Sequence, residues 1–370
     1  MISGIERILV IKLKHIGDVL LATPAIHALR KTFPKSRICA LVYAGTDDML
    51  TGNPDLEEVL VFEKGTGVQG IRSEGRLVSQ VRRIRPDLAV QMGNGDREAI
   101  LGVLSGARIR VGYDPRGSGF VGRRLLLTHI VPQDWEKHAV ESNLDLVRAL
   151  GVEPDARDLR LFVDPQAEAA VNTLVRDMGV ERDDRVVVIH PTAKWMFKCW
   201  TDEGFAQVAD YLSEEGMTVC ITSGSAEREV QKAQRIIGRA RRPAIDLSGR
   251  LTLKQLTALI ARSRLFVGVD SAPMHVAAAV KTPVVALFGP SREQNWRPWG
   301  DGHLVLKRDP FCSQLRRKRC EVTKRCECLE TLRVEEVITA VEEQLAKSGG
   351  HRNPGSRSMT ADLSTRRPKS

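Results

Sequence analysis

At 370 residues, with 42% hydrophobic and 28% charged side chains, the chain has the composition of a globular protein of about two domains, which excludes the disordered and fibrous classes. Its formal net charge of +10 suits an anionic partner: nucleic acid, an acidic membrane face or a phosphorylated glycan. Aromatics at 5% without a base-stacking motif argue against nucleic acid, and no apolar run approaches the ~18–20 residues of a membrane span. Glu6, Arg7, Lys12 and Lys14 break up the stretch a signal peptide would need, so a cytoplasmic location is expected. Seven dispersed cysteines argue against a disulfide framework. Cys312, Cys320, Cys326 and Cys328 cluster without a C-x-x-C pair and among Arg and Lys, so no metal is expected there.

In chain order, ILVIK (8–12) reads as a buried strand. The glycine turn KHIGD follows, with Asp18 opening a long helix in which Pro24 falls near the first turns. SRICALVY and LEEVLVFE are further strands, 70–85 is an amphipathic basic helix, and PDLAVQM is a strand ending in the loop GNGD. RIRVGYD is another strand, and 135–150 is a helix stopped by Gly151. An acidic, proline-containing stretch at 153–165 separates this domain, 1–152, from a second alternating series at 166–347. There the strands are RVVVIH, MTVCITS, AIDL, LFVGV and VVALFG. Helices are expected at 166–178, 202–215, 226–237, 252–262 (with a Thr252/Gln255 capping box) and 332–345. The Gly-, Ser- and Pro-rich stretch 348–370 is expected to be disordered. Alternating strands and helices predict an α/β fold of mostly parallel sheets with right-handed crossovers.

Candidate chemistry falls at strand tips. After LFVGV, Asp270 and Ser271 offer oxygens at a helix start and Pro273 costs no needed N–H, so the helix aims free N–H groups, that of Ala272 among them, and its positive end at the crevice, where a phosphate fits. A plain N-cap is the competing reading. In HPTAKWMFKCW, the Thr192 hydroxyl and Lys198 ammonium suit a diphosphate. In SGSAERE, a carboxylate beyond the strand tip can accept from ribose hydroxyls. Glu227 is chosen over Glu229, against a simple helix-start carboxylate. Asp18 is read either as a helix cap or as a general base kept ionised by the helix terminus. Lys14, Arg97, Arg116, Arg123 and Arg124 are candidates for contacts to an anionic acceptor.

These motifs together resemble those of glycosyltransferase family 9, the ADP-heptose:lipopolysaccharide heptosyltransferases. DSAPMH with AAAVKTPVVALFG is similar to the family's C-terminal signature, and K-x-x-x-GD with L-x-TPA to its first motif. HPTAKWMFKCW is similar to its H-x-T…K-x-W motif in the form of the third heptosyltransferase type. The resemblance implies a GT-B arrangement: two Rossmann-like domains facing across a cleft, the first binding acceptor and the second the nucleotide sugar. It implies inverting heptose transfer from ADP-heptose to the lipopolysaccharide inner core, with Asp18 as base, no cofactor and no metal. It further implies Leu251 near adenine and His275 near the donor. Other expectations are a lipid-linked core acceptor, peripheral contact with the inner membrane through Arg316–Arg325 and the tail, no nucleic acid, and a monomer. A heptosyltransferase of another acceptor type and a non-catalytic nucleotide- or glycan-binding protein of the same fold are the alternatives. No G-x-G-x-x-G opens either half, which disfavours a nicotinamide enzyme.

Overall fold

The structure is a computed structural model that describes residues 2–114, 119–120, 122–180, 185–308, 320 and 326–349. Two six-stranded parallel sheets form its frame. The first contains β1 (Arg7–Lys12), β2 (Arg37–Tyr43), β3 (Glu58–Phe62), β4 (Leu88–Gln91), β5 (Ile109–Tyr113) and β6 (His129–Val131), in the order β3-β2-β1-β4-β5-β6. The second contains β7 (Val186–His190), β8 (Thr218–Ser223), β9 (Ile245–Ser248), β10 (Leu265–Val269), β11 (Val284–Leu287) and β12 (Leu304–Leu306), in the order β12-β11-β10-β7-β8-β9. β7 and β10 are buried along their whole length, as near-continuous apolar runs covered on both faces must be. The strand order reverses between β1 and β4 and between β7 and β10, so each half opens a crevice at the carboxyl ends of its central strands.

The helices are α1 (Ile16–Leu20), α2 (Thr23–Thr32), α3 (Gly67–Ile84), α4 (Asp96–Leu104), α5 (Ala139–Arg148), α6 (Pro165–Asp177), α7 (Asp202–Glu214), α8 (Glu227–Arg239), α9 (Leu253–Ala261), α10 (Ala272–Ala279), α11 (Glu293–Trp296), α12 (Glu327–Glu330) and α13 (Val334–Gly349). The capping box at α9 is present as expected. The two halves are packed together: one apolar cluster holds Val19, Leu20 and Leu144 from the first with Met274, Val276 and Phe288 from the second. The contact is made largely by α1 lying on α10.

Several boundaries differ from expectation, each for a local reason. The helix carrying Asp18 begins at Ile16, so Asp18 sits inside its first turn and His15 takes the capping position. That helix does not run on: Pro24 has no N–H to give Leu20 O, and the Thr23 hydroxyl takes that carbonyl at 2.7 Å, splitting the segment into α1 and α2. α5 starts at Ala139 rather than 135, because the Nδ1 of His138 accepts from Val140 N–H at 3.2 Å and caps it. α4, β6 and β12 were not expected from sequence. The arginine run 316–319, the residues 324–325, Cys312, Arg116 and the tail from 350 lie outside the described residues. Cys320 and Cys326 are free and buried, and Cys328 is disulfide-bonded.

Candidate active site

On the second half, the loops after β7 and β10 bring Lys198 and Asp270 together. Lys198 Nζ donates to Asp270 Oδ2 at 2.5 Å, with both side chains nearly buried. Burial alone would raise the Asp270 carboxyl, but Lys198 beside it and a Ser291 hydrogen bond more than offset this and hold it below the usual range. The pair is therefore ionic. Asp270 is not a cap, and neither is Ser271: as N-cap of α10 it makes no side-chain cap bond, and its Oγ is buried without a partner. His275 on α10 is buried with Nδ1 unpartnered, and burial pushes it down to about 4, so its imidazole is neutral. Trp195 lies exposed under Lys198, 5.1 Å from Nζ to the ring centre, and meets His15 of the first half edge-on at 5.6 Å.

Thr192 is not free to face a ligand. Its hydroxyl donates to Glu229 Oε2 at 3.0 Å and lies 3.3 Å from His190 Nε2, while His190 Nδ1 meets the Thr222 hydroxyl at 2.9 Å. Burial lowers His190 to about 4, so this chain of groups is built on a neutral ring. Glu229 is thus turned inward at the β8 tip. Glu227, preferred from sequence, is exposed and accepts from Gln231 at 2.9 Å on its own helix. The orientation follows helix phase: Glu227 and Glu229, two positions apart, point to different sides of α8. Leu251 is half-buried against the core.

On the first half, Asp18 and Lys14 line a cavity of about 760 Å³. Lys12, at the end of β1, lies in its wall. Its ammonium donates to Met92 O at 2.6 Å and to Asn143 Oδ1 at 3.0 Å, and Asn143 in turn donates to Leu21 O at 2.9 Å. Burial lowers the Lys12 amine to about 8, with Asp18 acting in the opposite sense. The second half closes the same cavity with Pro290, Arg292, Asn295 and Trp296. These residues also clamp the halves. Asn295 donates to Trp135 O at 2.7 Å and Lys137 O at 2.6 Å, Arg292 pairs with Glu136 at 2.9 Å, and Gln294 bonds Glu136. Trp299 stacks on His138 at 4.6 Å and donates to Arg157 O at 2.7 Å.

Gly17 explains how close the halves come. A Cβ there would sit 2.8 Å from His275 Cδ2 and 3.8 Å from Ala272 Cα. Its backbone is helical, so the glycine serves close approach and not a tight turn. Among the described candidate acceptor contacts, Lys14 alone reaches the cavity wall. Arg97 pairs with Glu74 at 2.9 Å and covers Phe62, Arg123 is buried 3.6 Å from Asp96, and Arg124 is exposed. Sequence reading missed Lys12, Asn143 and the 292–296 wall. A lysine ending an otherwise apolar strand was the available signal for the first.

The profile of glycosyltransferase family 9 (heptosyltransferase) matches residues 75–325. A lipopolysaccharide heptosyltransferase 3 of Escherichia coli is 33% identical over 291 residues, covering 78% of this chain and 85% of that protein. The chain belongs to glycosyltransferase family 9. Among solved structures, the family 9 glycosyltransferase of Veillonella parvula superposes with a TM-score of 0.80 at 24% identity, covering 92% of this chain and 97% of that one. The ADP-heptose lipopolysaccharide heptosyltransferase II of E. coli gives 0.76 at 22% identity, with 93% and 99% covered. The fold is thus GT-B, and the family 9 chain is a glycosyltransferase. The matched stretch includes the Lys198–Asp270 pair, whereas Asp18 and Lys12 lie ahead of it. Among the described residues of this family 9 enzyme no three His, Cys, Asp or Glu side chains group as a metal site, and no helix is long and apolar enough to cross a membrane.

Proposed function

We propose that the enzyme transfers heptose, with inversion, from ADP-L-glycero-β-D-manno-heptose to the lipopolysaccharide inner core, in the manner named type 3 in its E. coli relatives. The observation that carries this reading is the seating of α1, with Asp18, directly on the N-terminus of α10, with Gly17 against His275. It brings the helix that carries Asp18 against the helix end of the donor half, the half whose loops also carry the Lys198–Asp270 pair.

In this reading residues 1–152 bind the acceptor and 166–347 the donor. Lys198, the Ser271 hydroxyl and the N–H groups opening α10, including that of Ala272, hold the diphosphate, and Asp270 keeps Lys198 in place. Glu229, held by Thr192, is better placed for the ribose than Glu227. Leu251 and His275 flank the nucleotide. The acceptor oxygen forms its bond to the anomeric carbon as the bond to the β-phosphate breaks. The electron pair leaves with ADP, and the acceptor proton passes to Asp18. Lys198 and the helix end meet the charge growing on ADP, so no metal is required. The enzyme acts as a monomer at the cytoplasmic face of the inner membrane, where a lipid-linked acceptor is presented.

The test is incubation with ADP-heptose and truncated core acceptors, with and without EDTA, read by mass spectrometry and NMR linkage analysis. A product one heptose heavier, inverted at the new linkage and formed equally in EDTA, is expected. No transfer to any core acceptor sinks the reading, and activity lost in EDTA and restored by magnesium or manganese sinks its metal-free step.

A further inference from the structure

Outside the cavity the first half carries apolar side chains that nothing in the described structure covers. On α4, Ile100 and Val103 are 43% and 40% exposed, and beside them Phe120 is 41% and Leu125 84% exposed. The two groups belong to one face. α4 packs on the short turn Arg123–Leu126, and Asp96, at the start of α4, reaches both Arg123 at 3.6 Å and the space beside Gly119. Ile100 lies one helical turn beyond Asp96 on that same side, with Val103 next to it.

The rim of this face is basic. Arg124 is exposed within the turn. Arg82, also exposed, donates to Leu104 O at 3.2 Å and so stands at the far end of α4. Arg108 follows the helix with its side chain 75% exposed and lies 3.9 Å from Asp87. The face also flanks the cavity: Asn94, two residues before α4, lines it.

From this arrangement we infer that the α4 face docks the enzyme on an anionic phospholipid surface, its apolar side chains entering the headgroup boundary and its arginines meeting lipid phosphates. The inference rests on the heptosyl-transfer reading in that a lipid-linked acceptor would then arrive at the cavity from the docked side. A second copy of this chain is the poorer occupant, because a two-fold contact sets the same arginines against one another. A basic protein face fails for the same reason, and an acidic headgroup layer satisfies both apolar centre and basic rim.

The test is co-sedimentation of the full chain with vesicles of phosphatidylcholine alone and of phosphatidylcholine with an equal part of phosphatidylglycerol. Wild-type protein is expected to bind the mixed vesicles more tightly, with binding weakened by salt. Val103→Glu with Leu125→Glu is expected to cut that binding by about tenfold or more while leaving melting temperature and transfer to a soluble, lipid-free core acceptor unchanged. A parallel variant, Arg316→Glu with Arg317→Glu, tests the basic stretch near the carboxyl end as the alternative anchor. The proposal is overturned if the patch variant binds like wild type while the arginine variant does not. It is also overturned if neutral and mixed vesicles bind alike, or if light scattering shows a dimer that the patch variant dissociates with no vesicle binding. Vesicle results as expected with no heptose transfer by wild type sink the transfer reading and leave the docking face standing.

Discussion

In the proposed transfer Asp18 is the general base. It lines a shared cavity, lies near the buried Lys12 amine and sits in the first turn of α1. Asp18→Asn keeps the shape and removes the base. The loss of charge near the helix end costs at most ~1 kcal/mol, so melting temperature and ADP-heptose affinity stay close to wild type, while kcat falls by ~10²-fold or more. Calorimetry and turnover on the same variant check both halves of this expectation, and a near-wild-type kcat removes Asp18 from the mechanism. Lys198→Ala acts differently, because it also strips Asp270 of its partner in a buried place. Donor affinity and turnover should drop together with some loss of stability. An unchanged ADP affinity with unchanged turnover rules out the phosphate role.

At the scale of elements, the seam between α1 and α10 is a close contact between the two halves. Gly17→Ala adds a methyl 2.8 Å from a buried imidazole carbon. Alanine is the better helix former by ~1 kcal/mol, but overpacking a filled seam costs ~1–3 kcal/mol, so the net change is destabilising. We expect a lower melting temperature and slower turnover, with stability recovered when His275→Ala is added to make room. A double-mutant cycle showing no coupling between the two positions contradicts this. The same seam shows what a sequence discloses and what it does not. The central strands β1, β7 and β10, and the positions of Asp18, Lys198 and Asp270 in the turns that follow them, were legible, because apolar runs ending in polar turns mark strand ends wherever they occur. α4 was not, because Ile100 and Val103 put apolar groups on its outer side and erase the amphipathic stripe. β6 and β12, at three residues each, are too short to show a period. The inward turn of Glu229 and the capture of Thr192 depend on how α8 is rotated against the β8 tip, which no spacing encodes.

For the whole molecule, burial of neutral imidazoles sets an acid limit. His138, His190, His275 and His303 are each pushed by burial from 6.5 to about 4. Above 6.5 both folded and unfolded chains hold them neutral and pH has no effect through them. Below it the unfolded chain takes up protons that the folded one refuses, so stability falls as pH drops from 6.5 towards 4. Thermal melts across that window should show the decline, and His138→Asn, which can still cap α5, should flatten part of it. A melting temperature independent of pH there contradicts the assignment. His138 also belongs to the clamp in which Asn295 and Arg292 grip the 135–137 segment while lining the cavity. An acceptor settling there touches the very bonds that fix the angle between the halves. If the donor site on the second half also depends on that angle, the two binding free energies share terms. Reciprocity follows: the factor by which ADP-heptose tightens the acceptor is the factor by which the acceptor tightens ADP-heptose. Which substrate arrives first is then decided by rates, and equilibrium affinities carry no record of it.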